Sequence, residues 1–209
     1  MTQAHQTDDA NPAPNPKREA ILVAAQHLFL KFGYGAVTMD AIAQTAKVSK
    51  RTVYSHFSSK EMLFAGLMTA MCDVLGDRAL PAEIPKASPE EALTMLGRQF
   101  VDLVTSPNGL ALFRIVVGEG ARFPELGATF YETGPQRLVT LIATYLCEQD
   151  RAGNLRVPEP EIAAMQFLDL AKSSLHLRLL LGIVAAPTAA EKEQAVAQAV
   201  DCFIRAYAA

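Results

Sequence analysis

Apolar residues recur along this chain at intervals of three and four, the spacing that lines one side of an α-helix, and no stretch keeps the alternation of a strand. The first stripe is Ile21, Leu22, Ala25, Leu28, Phe29 and Phe32. It follows Asn15-Pro16, a capping residue and a proline suited to a first helical turn. Gly33 ends that helix and Gly35 keeps the next turn loose. Thr38 is placed to cap a second, short helix, with Asp40 in its first turn and Ile42, Ala43 and Ala46 on its buried side. A brief turn through Lys47 and Val48 leads to Ser49, the expected cap of a third helix that ends near Phe57. Ser58, with Glu61 three residues on, reads as a capping box. It opens a fourth helix whose apolar side carries Met62, Leu63, Leu67, Met68, Met71 and Leu75.

Beyond Pro81 and Pro85 the helical period returns in five segments, near 89–105, 109–121, 125–150, 159–182 and 188–207. Pro107-Asn108-Gly109, Phe123-Pro124, Gly153-Asn154, Pro158 with Pro160, and Pro187 mark the breaks. The expected fold class is all-α, with about nine helices: an N-terminal three-helix domain holding a helix-turn-helix, and a larger C-terminal helical domain. Residues 1–15, rich in Asn, Asp, Gln and Pro, have no apolar period and are expected to form a disordered arm. Residues 16–60 and 61–209 are then the two domains.

A net charge of −3 looks unpromising for a nucleic-acid binder, but the average hides an asymmetry. Residues 10–60 hold seven Lys and Arg against two acids, whereas 61–209 hold twelve against eighteen. A basic head on an acidic body suits a chain of which one end meets phosphates. The three cysteines, Cys72, Cys147 and Cys202, are far apart, so neither a disulfide scaffold nor a metal site is expected. No signal peptide is evident, and Asp169, Lys172, His176 and Arg178 interrupt the most apolar C-terminal stretch. A cytoplasmic protein without a membrane span is expected.

The head has the build of a helix-turn-helix. Ile42, Ala43, Val48, Val53 and Phe57 fall where two short helices face each other. At 100° per residue Val53 and Phe57 share one side of the third helix; Arg51 and Ser55 then point away, with Thr52 and Tyr54 on the flanks. That outward face is polar and basic, as a reader of the major groove requires. Arg51 suits a bidentate contact to guanine, and Thr52 and Ser55 suit base edges or thymine methyls. Thr38, Lys50, Tyr54, His56 and Lys60 are better placed for phosphates, and Ser49 and Lys47 flank the same surface. The bland alternative is an amphipathic helical hairpin with a solvated basic face.

The runs Phe32 to Ala46 and Val48 to Phe64 resemble, almost continuously, the N-terminal domain of the tetracycline-repressor (TetR) family. In that family the matching positions bind operator DNA, with Thr38, Tyr54, His56 and Lys60 on the backbone. Many members carry glycine where this chain has Lys47. If the position needs a positive φ, lysine there costs on the order of 1 kcal/mol, and in return it offers another phosphate contact.

The resemblance implies that residues 61–209 bind a ligand and dimerise, with repression as the default and activation as an alternative. Gly118 to Leu126 and Phe130 to Gly134 are similar to the AefR-like C-terminal class. The last two helices are apolar on much of their circumference and need burial on two sides. Leu168, Leu175, Leu179, Val196, Val200, Phe203 and Ile204 are the expected homodimer interface, with burial inside one protomer as the alternative. Met68, Met71, Phe100, Phe113, Phe130 and Phe167 are candidates to line an apolar cavity for a small hydrophobic effector. Arg114 or His176 would serve as its polar anchor. No cofactor is expected. There is no nucleophile elbow, phosphate loop or metal-spaced cluster to support an enzyme, and the basic head argues against a helical protein adaptor that leaves DNA alone. The expected partners are double-stranded operator DNA, a second copy of the chain, and the effector.

Overall fold

The computed structural model describes residues 15–79 and 87–209, the side chains of 71–79 excepted. The expected arm over residues 1–15, Asn15 excepted, and the Met71 side chain lie outside the described residues. Among the described residues ten helices follow one another: α1 (Pro16–Phe32), α2 (Met39–Thr45), α3 (Lys50–His56), α4 (Lys60–Ala79), α5 (Pro89–Thr105), α6 (Pro107–Glu119), α7 (Pro124–Thr133), α8 (Pro135–Arg151), α9 (Pro160–Leu180) and α10 (Ala189–Tyr207). The stretch expected as one helix over 125–150 is two, meeting at Gly134-Pro135. Proline lacks the N–H an unbroken helix would need there, but it is well suited to a first turn.

The caps are local and follow the residue types. Asn15 accepts from the amides of Lys17 and Arg18 at 3.1 and 3.3 Å, Thr38 Oγ1 from Ala41 at 3.2 Å, and Ser49 Oγ from Thr52 at 3.0 Å. Helix α4 departs from expectation by one residue. Its cap is Ser59, whose Oγ accepts from the amide of Met62 at 3.2 Å, so the box between Ser58 and Glu61 does not form. Glu61 instead accepts the Tyr34 hydroxyl at 3.3 Å.

Two buried clusters hold the chain. The first joins α1–α3 to the start of α4 and to Leu112, Val116 and Leu126 of α6 and α7, so the boundary expected after residue 60 falls inside it. Its centre is aromatic: Tyr34 packs against Phe29, Phe64 and Phe123 with ring centres 5.4, 5.7 and 5.4 Å away. Gly66 lets Phe57 lie against α4, since a Cβ there would come within 2.6 Å of the Phe57 ring. The second cluster is built by α5, α8, α9 and α10 around Phe167 and Phe203, whose rings meet edge to face at 5.6 Å. Arg98 with Glu193 and Lys192 with Asp102 tie α5 to α10 from outside. Helices α5 and α6 bend by 64° across Ser106, and no single helix among the described residues is long and apolar enough to cross a membrane.

The second cluster contains an imperfection. The Tyr145 hydroxyl is buried without a hydrogen-bond partner among the described residues, and burial pushes its pKa up to about 12. A buried polar group left unpaired costs about 1–3 kcal/mol. Tyr145→Phe is therefore expected to leave stability unchanged or raise it by up to about 1 kcal/mol in a urea titration, whereas buried tyrosines with partners lose stability on this change.

Candidate nucleic-acid interface and effector cavity

Val53 and Phe57 are buried, and they turn the opposite side of α3 to solvent, where Lys50, Arg51, Tyr54 and Ser55 are exposed. Arg51 has no ion pair or hydrogen bond among the described residues, which leaves its whole guanidinium fork available. Lys50 pairs with Asp40 of α2 at 2.8 Å, which raises its pKa. Both partners of that ion pair are well exposed, so a phosphate can take the ammonium at little cost. The Ser49 and Thr52 hydroxyls lie 2.7 Å apart in the cap, and the Ser55 hydroxyl donates to the Thr52 carbonyl at 2.8 Å. Thr52 and Ser55 thus keep acceptor lone pairs and apolar surface for base edges. Thr38 is exposed at the start of α2, and His56 is partly buried at the end of α3.

Lys47, exposed in the turn between α2 and α3, holds φ at 55°. This is the left-handed conformation that favours glycine. Lys47→Gly should relieve about 1 kcal/mol of strain but loosen the unfolded chain by roughly half that, for a net gain near 0.5 kcal/mol in a denaturant melt.

Lys60 does not face outward as expected. Its Nζ donates to the carbonyls of Tyr34 and Val37 at 2.9 and 3.1 Å and sits 4.3 Å from the Tyr34 ring centre and 5.8 Å from that of Phe123. Burial lowers its pKa, and the nearby Glu61 and Glu119 oppose that shift. Glu119, at the end of α6, accepts from the Gly35 amide at 2.8 Å across 84 residues of sequence. The turn before α2, the start of α4 and the corner between α6 and α7 therefore meet around Lys60 and Tyr34. Glu119 and Phe123 carry no local sequence pattern that marks this role, because the contact joins positions 84 residues apart.

Behind this junction lies a cavity of about 520 Å³ bounded by α4 to α9. Met68, Phe100, Phe113, Phe130 and His176 line it. Phe113 stands edge to face with Phe130 at 5.8 Å and with His176 at 5.1 Å. Burial and the nearby Lys172 charge lower the His176 pKa, which favours the neutral ring. Two candidates are placed elsewhere. Phe167 is fully buried against Phe203 in the second cluster, and Arg114 reaches the C-terminal carbonyls of α9, 2.5 Å from Leu179 O and 3.3 Å from Leu180 O. A guanidinium at a helix end finds unpaired carbonyls and a favourable dipole, a stronger pull than an apolar cavity offers. Asp169 and Lys172 also line the cavity; their signal was charge at helical spacing in an otherwise apolar helix.

The expected dimer residues need a similar correction. Leu168, Leu175, Leu179, Val196, Val200 and Phe203 are buried within the protomer, and Ile204 packs against its core while staying partly exposed. The apolar residues that α9 and its end leave exposed are Ile162, Met165, Leu170, Leu177, Leu181 and Ile183.

Comparison with known proteins agrees with this arrangement. Residues 21–67 match the family model described as bacterial regulatory proteins, tetR family, and residues 91–209 match that of the AefR-like transcriptional repressor C-terminal domain. The chain is 39% identical over 69 residues to the HTH-type transcriptional regulator YhgD of Bacillus subtilis (33% of this chain, 36% of YhgD). It is 36% identical over 121 residues to YdeS of the same organism (58% of this chain, 53% of YdeS). The chain thus spans between a third and about half the length of these curated relatives. The solved structure of the flavonoid-responsive regulator FrrA superposes with a TM-score of 0.76 at 38% identity, covering 92% of this chain and 97% of that one.

If Lys60 braces the junction, Lys60→Met should lower the stability of the DNA-free protein by about 1–3 kcal/mol, because the Val37 carbonyl loses the Lys60 donor and the Tyr34 carbonyl keeps only the Val37 amide. An unchanged melting temperature would restore it to a role on phosphate alone.

Proposed function

Because the chain belongs to the tetR family of bacterial regulatory proteins and carries an AefR-like C-terminal domain, we propose that it is a dimeric cytoplasmic repressor released from operator DNA by a small, largely apolar effector. The observation that carries the DNA half is the exposed face of α3, where the unengaged Arg51 stands opposite the buried Val53 and Phe57. Arg51 reads a base, Thr52 and Ser55 refine that reading, and Lys47, Lys50, Tyr54, His56 and the Thr38 and Ser49 hydroxyls bind the backbone. One helix of seven residues touches few base pairs, so two heads related by a twofold axis read a pseudo-palindrome. The exposed apolar side of α9, with small residues Ala197, Cys202 and Ala206 on the solvent side of α10, is the surface that supports pairing.

The aromatic cavity supports an effector of matching character, and the flavonoid response named for FrrA points the same way. Helix α6 links the two halves: it lines the cavity through Gly109, Leu112 and Phe113, grips the end of α9 through Arg114, and holds the head through Glu119. A ligand that shifts α6 relative to α9 changes the seat of the Gly35 turn, and with it the population of heads spaced for successive major grooves.

The reading is tested by fluorescence anisotropy on DNA from around the protein's own gene, titrated with salt. Affinity for one sequence should exceed that for scrambled DNA and fall steeply as salt rises, because several phosphates are neutralised. Arg51→Ala should cost about 1–3 kcal/mol and relax preference at one base pair, whereas Lys50→Ala should weaken all sequences alike. Binding with no sequence preference at moderate salt would sink the proposal.

A further inference from the structure

We propose that Asp169, Lys172 and His176 form a hydroxyl-reading stripe on one wall of the cavity, selecting a flat, uncharged aromatic effector that carries a hydroxyl over the same skeleton bare or bearing a carboxylate. This rests on the cavity being the effector site.

The stripe is geometric first. Asp169 and Lys172, three residues apart, share one side of α9, His176 follows the break at Ser173, and all three line the cavity. They run from the mouth inward: the Asp169 side chain is 71% exposed, that of Lys172 40%, and His176 is partly buried. Apart from Tyr131, the remaining lining side chains are apolar. Polarity is thus concentrated on one wall, and a ligand's polar group has one main place to go.

The charge balance of the stripe decides which polar group fits. Lys172 Nζ already lies 2.6 Å from Asp169 Oδ1, so its charge is compensated within the stripe. A carboxylate entering here gives up hydration in an apolar cavity and gains only the exchange of one carboxylate for another on Lys172, since the pair with Asp169 is largely exposed. His176 makes no hydrogen bond among the described residues, and both burial and Lys172 favour its neutral form. A neutral imidazole offers one donor and one acceptor, as a hydroxyl does, and each can satisfy the other. The Asp169 carboxylate adds a further acceptor at the mouth.

Flatness follows from the walls. Phe113 is set edge to face between Phe130 and His176, so ring faces and edges bound the space beside the stripe, and a planar aromatic skeleton packs on them. Between Lys172 and His176 the helix is kinked at Ser173, with φ 46° and ψ −148°. A non-glycine residue pays on the order of 1–3 kcal/mol in such a region, and strain of this kind gathers at ligand sites.

Titration calorimetry of the full chain with flavone, a monohydroxyflavone and a flavone carboxylate tests the assignment. The hydroxylated probe should bind about 10-fold more tightly than either of the others, the worth of one well-made hydrogen bond. In Lys172→Met and His176→Leu the ratio of hydroxyflavone to flavone affinity should shrink to within about 3-fold, whatever the change in flavone affinity itself, and His176→Gln, which keeps a donor and an acceptor, should retain most of that ratio. Equal binding of flavone and hydroxyflavone, or tightest binding of the carboxylate, overturns the stripe and leaves the cavity reading intact. Failure of all three probes overturns both. The wild-type ranking decides even if a variant fails to fold.

Discussion

The Lys60 ammonium sits among two backbone carbonyls and two aromatic rings, at the place where three parts of the chain converge. A charge partly withdrawn from water is held where oxygens and π-faces replace the hydration it gives up, and here the turn before α2 supplies the oxygens while the α6–α7 corner supplies the Phe123 ring. Moving either part away would strand the cation. The three-helix head is therefore not an independent bead on a tether: its hydrophobic cluster continues into α4, α6 and α7, and its first loop is fastened to Glu119. The position of the reading helix in the molecule follows from this seat.

What was legible in the sequence was local. Caps at Asn15, Thr38 and Ser49 depend on a side chain reaching an amide two or three residues ahead, and residue type reveals that. The cap of α4 slipped from Ser58 to Ser59 because two serines stand side by side and only the path of the chain out of Phe57 chooses between them. The outward face of α3 was equally readable, since the burial of Val53 and Phe57 determines what faces away. Lys60 was misjudged for the opposite reason: its destination is carbonyls more than twenty residues back, which no helical wheel displays.

The body was harder because apolar periodicity says that a face is covered without saying by what. In α10, Val196, Ala199, Val200 and Phe203 are taken up by the core that α10 shares with α5 and α9, so the breadth of the stripe reflected a deep core within one protomer. The same ambiguity separated Phe113, which faces the cavity, from Phe167, which fills the core beneath Gly97. The polar residues told more. Asp169, Lys172 and His176 first stood out as interruptions of an apolar helix, and each of them lines the cavity.

The cavity has one more consequence. A cavity of about 520 Å³ walled by apolar side chains from six helices offers a ligand a large surface to pack against. On the proposed reading the effector completes that packing, so it adds to the folding free energy whenever it is present. Cellular proteases act on the transiently opened chain, and its population falls as that free energy rises. The same molecule that takes the regulator off its operator would then lengthen the regulator's lifetime, leaving a larger stock of it to shut transcription down once the compound is gone.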